Sequence, residues 1–311
     1  MHLENIKSNL KVVFFVLLLL VACKEEGKNS APSAISDKKV KIIQPKTIQP
    51  FVSSAYHLLA TADTLNWLKS LEPGDTLRAL LFSNRVDETH LTRLDTLVFP
   101  DSIYPNLDAY CPFPNSVEGI TSVKKLIVVS YFAQIFAVYE NGKRIRFGPV
   151  SMGKESTPTP KGLFFTNWKS KKSYSTVDST WILPWSFNFA NFEGVSLHEY
   201  ALPGYPASHA CVRLIQSDAY WFYYWADQWK LTAQGQIAAY GTPILIFGDY
   251  PFEGRKPWLN LAKNKELLQL SEKDLMNEIK PYLPLILERQ STRDSLIQSE
   301  KVEFTSDLIG K

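Results

Sequence analysis

"GVSLHEYALPGYPASHACVRL", residues 194–214, reads as a strand, a loop and a second short strand. The first strand ends at His198. The loop, "ALPGYPAS", carries Pro203, Gly204 and Pro206, residues that turn a chain back on itself. Behind it come His209 and Cys211, and then "VRL". Two of the chain's five histidines and one of its three cysteines fall in this stretch. A loop that folds back would bring Cys211 within hydrogen-bonding reach of His198.

Those residue types suit nucleophilic chemistry. A free thiol titrates near ~8.5, and the thiolate is the attacking form, so a neighbouring histidine is the usual activator. That histidine must itself be oriented by a carbonyl or a polar side chain. Backbone N–H groups at His209, Ala210 and Cys211 could then face a developing oxyanion. Other readings stay open. His209 could be a hydrogen-bonded loop histidine, and Cys211 a buried apolar residue. His198, His209 and Cys211 could hold zinc, although His-x-Cys spacing suits a tetrahedral site poorly. Cys111 and Cys211 could pair as a disulfide in an oxidising compartment.

Outward from this stretch the texture is β-rich. "KKLIVVSYFAQIFAVYENGKRIRFGPVSMG" is β-branched and aromatic, and Asn141-Gly142 is the signal of a type I′ hairpin. Pro158 and Pro160 fix a loop that Gly162 releases into strand "LFFT". "TWILPWSFNF" and "GTPILIFGD" read as further strands. One helix, "SDAYWFYYWADQWK", takes Ser217 as its N-cap, and Trp221, Trp225 and Trp229 form a stripe expected to fill core. Residues 121–250 therefore form a mostly β domain with one buried helix. Residues 251–311 turn helical and charged, interrupted by Pro281 and Pro284.

Upstream, residues 51–70 show helical apolar spacing. "LEPGDTLRALLFSNRVDETHLTRLDTLVFPD", 71–101, reads as a turn, two helix-like runs and a strand. In that order a small helical region, 51–115, resembles the glycan-binding LysM module; a plain packing subdomain is the alternative. Residues 1–22 carry Lys7, Lys11 and the apolar core "VVFFVLLLLVA", the pattern of a secretory signal too short to span a bilayer. "LVAC", ending at Cys23, resembles a bacterial lipobox, which implies lipidation of Cys23 and membrane anchoring. Residues 23–50 are a polar tether. A net charge of +3 with interspersed signs argues against a nucleic-acid partner.

"HEYALPGYPASHACVRL" resembles the signature of the YkuD-type L,D-transpeptidases: His, a loop, then Ser/Thr-His-Gly-Cys, an apolar residue and often Arg. The similarity covers residues 124–248 and includes "VYENGKRI", "GPVSMGK", "TPTPKGLF" and "GVSLH". It implies a mixed β-sandwich in a chain that is mainly β with added helices. It implies Cys211 as the nucleophile on peptidoglycan stem peptides and His198 as general base. The Glu199 carbonyl would orient that base, Ser208 and His209 would shape the site, and Arg213 would serve the loop or a substrate carboxylate. It also implies a cell-envelope, periplasm-facing location and sensitivity to carbapenems, with no cofactor and no metal. The residue at the family's glycine is Ala210, and only nine residues separate His198 from Ser208. "NWKSKKS", 167–173, falls at the family's lid loop, where its lysines could meet stem-peptide carboxylates. The same site resolved by water gives an L,D-carboxypeptidase or endopeptidase; a decayed site gives an idle wall-binding lipoprotein.

Overall fold

The computed structural model describes residues 55–309. The signal segment 1–22, Cys23 and the 23–50 tether lie outside the described residues.

The first described strand, β1 (Tyr56–Ala60), falls where helical spacing had extended over 51–70. α1 (Thr61–Lys69) and α2 (Asp75–Asn84) follow, then a 3-10 turn at Glu88–Arg93 and β2 (Thr96–Pro100). β1 and β2 pair antiparallel from Tyr56↔Pro100 to Ala60↔Thr96. Leu68, Leu77, Leu80, Val86, Leu91, Leu94 and Leu97 bury one another inside this unit. Asn84 fastens α2 to β2: its amide donates to Val98 O at 2.9 Å and accepts from Val98 N at 2.8 Å.

The main body is a pair of mixed sheets. Five strands line up in the order β5-β4-β3-β13-β6: β3 (Leu126–Ser130), β4 (Ile135–Glu140), β5 (Lys143–Pro149), β6 (Gly162–Phe165) and β13 (Pro243–Phe247). Four more form β10-β9-β8-β7: β7 (Lys169–Tyr174), β8 (Ile182–Ala190), β9 (Val195–Glu199) and β10 (Val212–Leu214). β13 with β3 and β10 with β9 are parallel; the other pairs are antiparallel. A small ribbon pairs β11 (Lys230–Leu231) with β12 (Ile237–Ala239).

Alternation along β3 explains why "LIVVS" has no polar face. Ile127 and Val129 point inward with Phe136, Phe187 and Leu197, between the two sheets. Leu126 and Val128 point to the other side, where α4 (Glu272–Ile279) and α5 (Leu283–Ile309) supply Leu275, Ile279 and Ile286. A strand buried on both faces is apolar throughout. The helical C-terminal segment is thus the second cover of the central sheet. Pro284 sits in the first turn of α5, where a missing N–H costs nothing.

The helix after β10, α3 (Gln216–Trp225), departs from the sequence reading in two ways. It starts at Gln216 after Ile215, without a Ser217 cap, and ends before Trp229. Ala219 and Phe222 face the core. Trp221 and Trp225 stack on each other at 4.8 Å, half-buried, under Arg146 and Lys125.

Asn141 (φ 48°) and Gly142 (φ 78°) form the β4–β5 turn in the two left-handed conformations a type I′ turn requires. A methyl on Gly142 would also lie 2.6 Å from Val117 O, whereas Gly235, with the same φ, has open space around it. Gly235→Ala should cost about 1 kcal/mol of backbone strain. Gly142→Ala should cost ~1–3 kcal/mol more from overlap. Equal losses in urea unfolding would contradict this account of the turn.

Candidate active site

β9 ends in His198 and Glu199, and β10 begins one residue after Cys211. The two strands are parallel neighbours, Val212 beside Leu197 and Arg213 beside His198. This register sets Cys211 beside the residue before Leu197 and brings it back to the histidine strand.

The returning loop is pinned from two sides. From the sandwich, Ser151 Oγ donates to Tyr205 O at 2.7 Å, Ser208 N donates to Met152 O at 2.9 Å, and Lys154 N donates to Ser208 O at 3.0 Å. Ser208 Oγ donates to Cys211 O, closing the turn that carries the cysteine. From the N-terminal unit, Asp87 N donates to Leu202 O at 3.0 Å, and Leu202 N donates to Asp87 Oδ2 at 2.7 Å. Val86 bridges Pro203 beside this pair. Hydrogen bonds from His90, Thr89 and Leu202 outweigh burial and hold the Asp87 carboxyl below the usual carboxylate range.

His198 is 3% exposed. Its Nδ1 lies 2.9 Å from Glu199 O. A carbonyl only accepts, so Nδ1 carries the proton and Nε2 is left as the acceptor. Burial pushes its pKa down to about 4; the Glu199 carbonyl opposes this and the Arg213 charge adds to it. Burial also raises the Cys211 thiol above its ordinary value, against a backbone hydrogen bond from Ser196 and the charge of Arg213. Thiol and imidazole therefore both rest neutral in the cavity that they share, and the hydrogen bond expected between Cys211 and His198 is not formed among the described residues. The thiol's own hydrogen bond is a long one, Sγ to Gly194 O at 3.9 Å.

Ala210 holds φ 72°, the left-handed conformation in which glycine is at ease. The turn keeps that shape with alanine, at a cost on the order of 1 kcal/mol. Ala210 N donates to Thr157 O at 3.0 Å, so this N–H is committed, and the oxyanion donors expected at the turn reduce to His209 and Cys211. His209 tilts against Trp181 at 5.4 Å, and its Nδ1 is buried without a partner among the described residues. Burial lowers its pKa, with Lys154 and Arg213 adding to the shift. Arg213 lies over the Tyr200 ring at 4.6 Å.

His198, Ser208, His209, Cys211 and Arg213 line one narrow cavity of about 30 Å³, closed by Trp181 and Leu183. Ser175, Trp181 and Leu183 belong to the β7–β8 hairpin, and the sequence reading did not single them out. "NWKSKKS" is largely strand β7 rather than a loop. Lys169 turns away from the cavity: its Nζ donates to Tyr223 O at 2.5 Å and lies over the Tyr223 and Phe187 rings. Cys111 is buried with its pKa pushed up to about 12, and both it and Cys211 are free thiols, so the disulfide reading fails. Among the described residues no group of three or more His, Cys, Asp or Glu is placed to hold a metal ion, which removes the zinc reading. No helix among them is long and apolar enough to cross a membrane.

Residues 124–246 match the model of the YkuD family, the L,D-transpeptidase catalytic domain. The sandwich and the His198–Cys211 pair both lie inside the matched span. Among solved structures, the chain is similar to an L,D-transpeptidase from Stackebrandtia nassauensis, at 26% identity over 42% of this chain and 58% of that one, with a TM-score of 0.33. It is also similar to one from Xylanimonas cellulosilytica (23% identity, 45% and 66% covered, TM-score 0.34) and to the L,D-transpeptidase LdtMt1, solved in complex with imipenem (23%, 40% and 59%, 0.32). The chain thus spans less than two thirds of each of these proteins. No curated protein matches it.

Burial of neutral His198 has a consequence for stability. Above pH 6.5 the imidazole is neutral in both folded and unfolded chains and contributes nothing. As pH falls from 6.5 to about 4, the unfolded chain takes the proton and the folded one does not, so stability is lost. The loss should reach about 3 kcal/mol and level off below pH 4. Asp218, raised to about 6 by burial, acts in the opposite direction. The difference between wild type and His198→Gln in urea unfolding at pH 7 and pH 4.5 isolates the histidine; an unchanged difference would place His198 in solvent.

Proposed function

We propose that this chain is an envelope L,D-transpeptidase acting on peptidoglycan stem peptides through a Cys211 thioester. The observation that carries the reading is the Nδ1–H of His198 bonded to Glu199 O. That bond leaves Nε2 free to accept a proton in the cavity that also holds the Cys211 thiol.

In the first half-reaction Nε2 takes the Sγ proton as sulfur attacks the carbonyl carbon of the donor peptide bond. Proton transfer accompanies attack because the separated thiolate–imidazolium pair is disfavoured by burial. The oxyanion draws on the backbone N–H groups of His209 and Cys211. Collapse breaks the C–N bond, and the imidazolium returns its proton to the leaving amine. In the second half, His198 takes a proton from the acceptor amine as it attacks the thioester. Collapse then expels the Cys211 thiolate, which recovers that proton. Water in the acceptor's place gives carboxypeptidase or endopeptidase activity from the same acyl-enzyme. Arg213, half-buried beside His198, suits a stem-peptide carboxylate. Retention of the left-handed turn by Ala210 favours the active reading over an idle binder.

Anchoring belongs to the same proposal: a lipid on Cys23 would tether the domain to an envelope membrane through residues 23–50. The strand β1, paired with β2 around α1 and α2, supplies the leading strand that a LysM-like module needs and supports the glycan-binding reading of 51–115.

A carbapenem should add its mass once, on the peptide bearing Cys211, and not on buried Cys111. Cys211→Ala should lose both labelling and turnover of muropeptides, and His198→Ala should acylate 100- to 10,000-fold more slowly, by roughly the range of general base catalysis. Full turnover by Cys211→Ala, or labelling on Cys111, would overturn the mechanism.

A further inference from the structure

The outer face of α3 carries Tyr220 and Tyr224, one turn apart, 49% and 55% exposed. Trp185 of β8 meets both, its ring centroid 4.9 Å from Tyr220 and 6.3 Å from Tyr224. Trp185 holds φ 52°, a left-handed conformation that costs a tryptophan roughly 1–2 kcal/mol. Backbone strain of this kind gathers at functional positions. A cluster of exposed rings likewise marks a binding surface.

The rings stand on the same two elements, α3 and β8, that help line a groove reaching Tyr200. One turn before Tyr220, Gln216 lines a cavity of about 380 Å³ together with Asp87, Thr89, Pro184, Glu199 and Tyr200. Tyr200 also lines the Cys211 cavity, and Pro184 lies between Leu183 of that cavity and Trp185 of the ring cluster. The groove's walls combine apolar surface with hydrogen-bonding groups: two carboxylates, an amide and two hydroxyls. With two carboxylates and no cation along it, the groove disfavours an anionic occupant. A lipid surface would set acyl chains against carboxylates. A neutral sugar chain fits both features: pyranose rings lay C–H faces on aromatic rings and turn hydroxyl and amide N–H groups toward acceptors.

We infer that the groove and the Trp185–Tyr220–Tyr224 surface hold the glycan strand of peptidoglycan beside the reacting stem. This rests on the assignment of Cys211 to stem peptides. The Cys211 cavity, about 30 Å³, is too small for a sugar ring. The stem would enter that cavity past Tyr200, which lines both it and the groove.

The test uses the chain from residue 24 onward and insoluble chitin strands, a neutral polymer of N-acetylated pyranose rings that lacks the muramyl carboxylates which stem removal would expose. These strands offer Cys211 no bond to cleave, so binding is read without turnover and stands even if the transpeptidase reading fails. In cosedimentation, Tyr220→Ala/Tyr224→Ala should bind at least tenfold more weakly than wild type. Tyr220→Phe/Tyr224→Phe, which keeps the rings, should retain most of the affinity. Urea unfolding of each variant establishes that the fold is intact. The inference is overturned if wild type does not bind the strands or if the Ala variant binds as wild type does. It is equally overturned if the rings mediate association of copies in sedimentation velocity or binding to neutral phosphatidylcholine vesicles in place of glycan.

Discussion

The parallel pairing of β9 with β10 is the constraint on which the site depends. Antiparallel strands can be joined by two residues; parallel neighbours need a crossover of about a dozen or more. Here that crossover is a loop without a helix, and it ends in the cysteine. A free loop of this length would leave Cys211 anywhere within several ångströms. This one is held by Ser151, Met152 and Lys154 from the sandwich and by Asp87 from the N-terminal unit. The N-terminal unit thereby acts on the geometry of the thiol without approaching it.

The same pairing buries His198, and burial decides the electrostatics. A charged imidazole in that position would lose its water and gain only one carbonyl, with Arg213 alongside. The thiolate would lose its water too, in partial exchange for a backbone hydrogen bond and the Arg213 charge. Burial thus favours the neutral form of each group. The thiol and the imidazole therefore rest uncharged beside the Arg213 cation, and the proposed mechanism separates charge between them only as substrate bonds change. Such a cysteine should react slowly with most electrophiles, and the proposed mechanism has it attack only an acyl donor seated against it.

Much of this was legible in the sequence, and the exceptions have physical causes. The Asn141-Gly142 hairpin, the all-apolar β3 and the strand before His198 are local patterns, and each occurs where it was read. β1 was missed because "YHLLA" is a short apolar run, which suits helix and strand alike until a partner is known, and its partner β2 lies some forty residues on. The tryptophan spacing runs past the true end of α3, because Asp227 is drawn off the helix by Thr166 and Thr242: Thr166 Oγ1 donates to Asp227 O at 2.6 Å, and Asp227 N donates to Thr242 Oγ1 at 2.9 Å. β7 looked like a loop because an edge strand with one solvated face can be built from Lys and Ser. The grip of Asp87 on Leu202 spans 115 positions and leaves no local trace.

The uncharged resting pair is tested most directly by the pH dependence of Cys211 alkylation. Iodoacetamide is added from pH 5 to pH 10, and modification is followed by mass on the peptide bearing Cys211. The rate should climb about tenfold per pH unit through pH 8, with no plateau below pH 9, because the thiol's pKa lies above its ordinary value. A plateau beginning between pH 4 and pH 7 would reveal a standing thiolate–imidazolium pair and contradict the account.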